Sequence, residues 1–130
     1  MRIKNHVLLV EDQPALRNTL ERALRLNRYV VSSVANGDEA KRSLTDDLAD
    51  ILLSDVSVGG SVNGFELAHW ARELWPALPI VLISGLALYD PPVNLMTDPS
   101  VRMLAKPFNT AALMAVLAEL LTLQSSGPAV

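Results

Sequence analysis

Five polar side chains in this sequence stand where short apolar runs stop. Glu11 and Asp12 close the run His6-Val7-Leu8-Leu9-Val10, and Asp55 closes Ile51-Leu52-Leu53-Ser54. Ser84 closes Ile80-Val81-Leu82-Ile83, and Lys106 follows Val101 to Ala105. Each has an ordinary explanation taken alone: an Asp caps helices and opens turns, a serine before glycine is common loop chemistry, and a lysine before proline sits at many solvated turns. The joint placement is harder to explain that way. If the runs are neighbouring strands, three carboxylates, a hydroxyl and an ammonium meet at one rim. At an effective dielectric near 20, two carboxylates about 5 Å apart repel by about 3 kcal/mol, or roughly two pKa units. A divalent cation relieves that repulsion. Oxygen donors without His or Cys select a hard ion. Mg²⁺ suits a site with few carboxylates, because it keeps several waters and accepts a phosphate oxygen as ligand. Lys106 then offers a compact positive charge to a second phosphate oxygen, and Ser84 a hydrogen bond to a third. A carboxylate placed like Asp55 can attack phosphorus and form an aspartyl phosphate, with the rate coming from positioning and charge neutralisation.

The elements that must position these residues follow from periodicity. Apolar runs of strand length alternate with segments of helical spacing. The expected strands are His6 to Val10, Tyr29 to Val34, Ile51 to Ser54, Ile80 to Ser84 and Val101 to Ala105. The expected helices are Pro14 to Leu26, Gly37 to Leu44, Gly64 to Leu74 and Thr110 to Leu123. Between the fourth and fifth strands, Pro91, Pro92 and Pro99 leave room for two helical turns at most. There Asp90 is placed to cap a helix with Pro91 in its first turn, and Pro99 ends it by Asp98. That fourth helix is therefore expected to be short or irregular. Continuous apolar strands separated by amphipathic helices mean a parallel sheet covered on both faces. Right-handed crossovers restrict the topology to a doubly wound α/β domain, and five strands favour the flavodoxin-like order 2-1-3-4-5. In such sheets ligands gather at the carboxyl ends of the strands, the rim where all five polar residues fall.

Composition bounds the alternatives. The chain has 130 residues, half of them hydrophobic, a formal net charge of −3 and no cysteine. One domain with a packed core is expected over residues 1–123, followed by a flexible tail, 124–130. The acidic balance gives no support to direct nucleic-acid binding. Arg17, Arg22, Arg25 and Arg28 read as the solvated face of the first helix. The lack of cysteine excludes disulfides and thiol catalysis and fits a cytoplasmic setting. No apolar run approaches the roughly 18 residues of a membrane span, and the early Glu11 and Asp12 interrupt any signal peptide. His6 and His69 read as core-edge or surface residues, and Trp70 and Trp75 as helix packing.

On "LLVEDQ", "ILLSDV", "NGFEL", "VLISG" and "LAKPF", the sequence resembles the receiver domain of two-component response regulators from about His6 to Leu123. The resemblance implies that Glu11 and Asp12 hold Mg²⁺, with Asp55 as phosphoacceptor and metal ligand and the backbone carbonyl of Ser57 completing the metal shell. It implies Ser84 as the switch hydroxyl and Lys106 as the contact to the phosphoryl group, with Pro107 following a peptide that is often cis. It further implies a histidine kinase or histidine phosphotransfer protein as donor, an unknown downstream protein, a monomer or weak dimer, and a substrate-like partner rather than a conventional enzyme. There are departures. Gly59 stands where a proline is usual, the loop "DVSVGGSVNG" is one residue longer than the commonest form and resembles receivers acting with hybrid histidine kinases, and Met103 replaces the aromatic switch residue.

Three rivals compete with this reading. A haloacid-dehalogenase-like phosphotransferase needs a second aspartate where Ser57 stands. A flavodoxin-like cofactor binder needs a Ser/Thr/Gly-rich loop where "VEDQPAL" stands. A receiver-like module that works without phosphorylation would not need the complete acidic set. Met1 and the polar tail favour a complete small protein without an output domain.

Overall fold

The computed structural model of this protein describes residues 4–85 and 91–125. Ten elements alternate along the chain: β1 (His6–Val10), α1 (Pro14–Leu26), β2 (Val30–Val34), α2 (Gly37–Asp46), β3 (Ile51–Asp55), α3 (Gly64–Leu74), β4 (Ile80–Ser84), α4 (Val93–Met96), β5 (Val101–Ala105) and α5 (Thr110–Ser125). The strands form one parallel sheet in the order β2-β1-β3-β4-β5, as expected from the sequence.

Alternate residues of a strand face opposite sides of the sheet, and both sides are covered. Val7, Leu9, Ile51, Leu53, Val81 and Ile83 pack with Leu20 and Leu24 of α1 and Leu113, Leu117 and Leu120 of α5. Leu8, Val10, Leu52, Ile80 and Leu82 pack with Ala40 and Leu44 of α2 and Leu67, Ala68 and Ala71 of α3. This is why the central strands read as unbroken apolar runs rather than as alternating ones.

Several boundaries differ from the sequence expectation for local reasons. Tyr29 is left out of β2 because its N–H donates to the Leu24 carbonyl at the end of α1, and Arg28 before it has a φ of 71°. Asp55 belongs to β3, paired in register with Ile83. α2 runs on to Asp46 and α5 to Ser125, so the first two residues of the expected tail are helical. α4 is a single four-residue turn, short as the prolines require, and its N-cap is Pro92 in an extended conformation. The expected cap, Asp90, lies outside the described residues.

The join of β3 to α3 is tightly constrained. Asn63 opens α3 with a capping box: its Oδ1 accepts the Glu66 N–H at 2.8 Å, and Glu66 Oε1 accepts the Asn63 N–H at 3.1 Å. Gly64 donates its N–H to the Val56 carbonyl at 2.8 Å. A Cβ on Gly64 would stand 2.5 Å from the Asp55 carbonyl oxygen and 2.7 Å from Val56 Cα, both backbone atoms that cannot swing aside. Gly64→Ala is therefore expected to destabilise the fold by about 1–3 kcal/mol, measured by urea unfolding. A loss within a few tenths of a kcal/mol would mean that this contact is not close-packed.

Candidate functional site

The carboxyl ends of β1, β3, β4 and β5 bring the five candidate residues to one rim. Asp55, only 5% exposed, ends the central strand. Its Oδ2 accepts from Lys106 Nζ at 2.5 Å, and its Oδ1 from the Ser57 N–H at 2.8 Å. A buried carboxylate is tolerable when both oxygens are engaged this way. Lys106 reaches Asp55 from β5, although β4 lies between those strands. Its N–H donates to the Ser84 carbonyl at 2.8 Å, which fixes the root of the side chain, and the Lys106–Pro107 peptide is cis. The arm then passes Gly85, where a Cβ would stand 3.5 Å from Lys106 Cδ.

Glu11 is nearly fully buried, at 2% exposure. Its Oε2 accepts the Gln13 N–H at 3.1 Å, while its Oε1 is buried with no hydrogen-bond partner. Its pKa is raised to about 7, first by burial; the negative charge of Asp55 and the neighbouring carboxyl of Asp12 push the same way, and the Gln13 N–H and Lys106 oppose them. The Glu11 backbone is clamped on both sides, its N–H donating to the Val34 carbonyl and its carbonyl accepting from Arg17 Nη1 at 2.9 Å. Asp12 is exposed at the mouth, beside Gly59. Ser84 is half-buried at the end of β4, and Ser57 is exposed.

Among the described residues, no three His, Cys, Asp or Glu side chains are gathered into a ready metal cage. The donors present nonetheless fit a hard cation. They are all oxygens, and Glu11 presents a buried oxygen with nothing to accept from. Mg²⁺ commonly binds through one or two carboxylates and completes its shell with water and phosphate.

Sequence reasoning missed two contributors. Arg17 read as part of a solvated face, yet it holds the Glu11 carbonyl. Gly64 read only as a helix start, yet it lets α3 approach the backbone of Asp55. Neither contact leaves a spacing pattern. His6 is a core-edge residue, its Nε2 2.8 Å from Ser32 Oγ at the opposite end of the sheet. Trp70 and Trp75 pack edge to face with ring centroids 5.6 Å apart, the helix packing expected of them.

Residues 7–118 match the response regulator receiver domain family, and the chain belongs to it. It is 33% identical over 103 residues to the response regulator receiver protein CpdR of Brucella abortus, covering 79% of this chain and 85% of that protein. It is 33% identical over 102 residues to the C4-dicarboxylate transport transcriptional regulatory protein DctD of Rhizobium meliloti, covering 78% of this chain and 22% of that protein. The chain thus spans about a quarter of the length of the regulators it matches first. A crystal structure of a response regulator receiver protein from Sinorhizobium medicae superposes with a TM-score of 0.80 at 29% identity, covering 92% of this chain and 96% of that one.

The raised pKa of Glu11 has a consequence for stability. A carboxyl at about 7 in the folded chain, against an ordinary value of 4.5, favours the fold fully below pH 4.5 and loses that contribution as pH rises through about 7. In Mg²⁺-free buffer, Glu11→Gln should therefore gain stability relative to wild type as pH is raised from about 4.5 to about 8. Urea unfolding across that range checks it; a constant difference between the two proteins would contradict the raised pKa.

Proposed function

We propose that this chain is a phosphoacceptor signalling domain. It takes a phosphoryl group from the phosphohistidine of a histidine kinase or histidine phosphotransfer protein onto Asp55, and it signals by presenting a changed surface to a downstream protein. The observation that carries this reading is the environment of Asp55, a buried carboxylate at the end of the central strand whose two oxygens meet Lys106 Nζ and the Ser57 N–H. In the transfer, an Asp55 oxygen bonds to phosphorus as the bond from phosphorus to the imidazole nitrogen breaks. Lys106 moves from a carboxylate partner to a partner of the phosphoryl oxygens, and the Ser84 hydroxyl donates to one of them. Glu11, Asp12, Asp55 and the Ser57 carbonyl would hold Mg²⁺, which supplies charge neutralisation when bound.

The chain is in this reading a substrate and partner that assists its own phosphorylation and slow dephosphorylation, working in the cytoplasm as a monomer or weak dimer. No helix among the described residues is long and apolar enough to cross a membrane. The long loop after Asp55 keeps partnership with a hybrid kinase within the proposal, although the relatives named above are regulators. Read-out is assigned to α4, whose buried anchor is Leu95 and which shares a cleft with Met103, 36% exposed. A module acting without phosphorylation is the second reading; the orphaned oxygen of buried Glu11 argues against it, since such a module gains nothing from that cost.

The donor is expected to approach over α1. A cleft between α1 and α5 opens at Lys106 and is lined by Leu16, Thr19, Ala23, Phe108 and Leu113. Leu20 is buried there, so the accessible docking face is assigned to Gln13, Pro14, Leu16 and Arg17.

Two measurements test the proposal. With acetyl phosphate and Mg²⁺, intact mass should gain one phosphate in wild type and none in Asp55→Asn; equal labelling of both would reject Asp55. Leu16→Glu should slow transfer from the cognate kinase about tenfold or more, as loss of a buried apolar contact does at interfaces, and leave labelling by acetyl phosphate unchanged. Equal loss with both donors would place Leu16 in the fold rather than at the docking face.

A further inference from the structure

The long loop after Asp55 is not a free strap. Four successive residues of it, 59 to 62, rest on the turn that opens α2 or on Asp12. Gly59 forms an isolated parallel bridge with Asn36, and a Cβ on it would lie 3.6 Å from Asp12 Oδ2. Gly60 has a φ of +92°, a conformation side chains rarely adopt, and a Cβ there would lie 3.3 Å from Asn36 Cβ and 3.5 Å from Asp38 Oδ2. The Ser61 hydroxyl bonds the Asp38 carboxylate, at 2.9 Å to Oδ2 and 3.2 Å to Oδ1. Val62 is buried against Gly37, where a Cβ would come within 2.9 Å of Val62 Cβ.

The turn is itself stiff. Asn36 Oδ1 caps α2 by accepting the Glu39 N–H at 2.9 Å, and Glu39 Oε2 accepts the Ala35 N–H at 2.9 Å. The loop therefore leans on a helix start that is held independently of it. At its other end the same loop begins with Ser57, whose N–H holds Asp55 Oδ1.

We propose that Asn36 and Asp38 are positioning residues for the phosphoacceptor site: they buttress the loop through Gly59 and Ser61, and so keep its backbone closed over the Asp12 side of the acidic rim. Neither residue touches Asp55. The buttress acts by holding Ser57 and Gly59 in place, which limits the entry of water to the aspartyl phosphate. This rests on the reading of Asp55 as phosphoacceptor.

The test compares wild type with Asp38→Ala, Ser61→Ala, the double variant, and the conservative Asp38→Asn, which keeps an oxygen acceptor for the Ser61 hydroxyl. The first readout, amide hydrogen exchange in the absence of metal and phosphate, needs no phosphorylation. Residues 57–62 should exchange about threefold to tenfold faster in Asp38→Ala and Ser61→Ala, as loss of one solvent-exposed hydrogen bond of ordinary strength implies. The α2 amides from Ala40 onward should be unchanged. The second readout is the lifetime of the phosphoryl group after labelling with acetyl phosphate and Mg²⁺, expected to shorten by a similar factor. The double variant should match the single ones, because both remove the same contact, and Asp38→Asn should restore both readouts. Unchanged loop exchange in Asp38→Ala and Ser61→Ala, additive effects in the double variant, or no recovery in Asp38→Asn would each overturn the buttress. A wild type that takes no phosphate would overturn the phosphoacceptor reading and leave the exchange measurement to decide the buttress alone.

Discussion

A carboxylate at the buried end of a central strand has to be neutralised from strands it does not pair with, and most of this structure follows from that. Asp55 ends β3, whose neighbours are β1 and β4. The cation comes from β5, one strand further out. The ammonium must therefore cross the end of β4, which takes a long unbranched arm. Lys106 supplies it, passing in contact with Gly85, with the Ser84 carbonyl holding the lysine backbone in place. An arginine would bring a wider planar head to the same gap. The ion pair ties the end of β3 to the end of β5 across β4.

The cost of the arrangement appears on the other side of Asp55. Glu11 is buried next to a like charge, with one oxygen unpartnered and its pKa driven up. A fold optimised for stability alone would place an apolar residue there. Natural domains break local rules of this kind at sites where the broken rule serves binding or chemistry. The backbone around Glu11 is correspondingly well held, by Val34 on one side and Arg17 on the other. The unfavourable charge sits on a scaffold that does not yield to it.

Stiffness is distributed unevenly around the rim. α1 and α5 press on one face of the sheet through leucines, and α2 and α3 on the other. α4 is one turn long with Leu95 as its buried residue. Arg72 of α3 steadies the chain just after it, with Nε 2.7 Å from Asp98 Oδ2 and Nη1 on the Trp75 carbonyl. Elements with few buried contacts are the ones that open at low cost, so α4 is the least anchored of the helices described.

The sequence by itself determined the fold class, because strand and helix periods differ and the runs here are long enough to tell them apart. It also determined which residue types meet at the rim, because parallel strands deliver their last residues to one edge, and the types of those residues are legible without coordinates. The overall match extends to the short α4, since three prolines leave no other choice. What the sequence left open was every contact between distant residues. Lys106 and Asp55 are 51 positions apart, and nothing in their spacing says which oxygen the ammonium meets. Tyr29 looked like a strand residue until the end of α1 claimed its N–H. Arg17 looked solvated until a turn of α1 placed it under the Glu11 carbonyl. Nothing in the sequence of the loop after Asp55 shows that Gly60 and Ser61 rest on Asn36 and Asp38. Periodicity reports only which side of an element is buried; the partner a polar group finds there is decided by the packing of elements from elsewhere in the chain, which the tertiary structure alone sets.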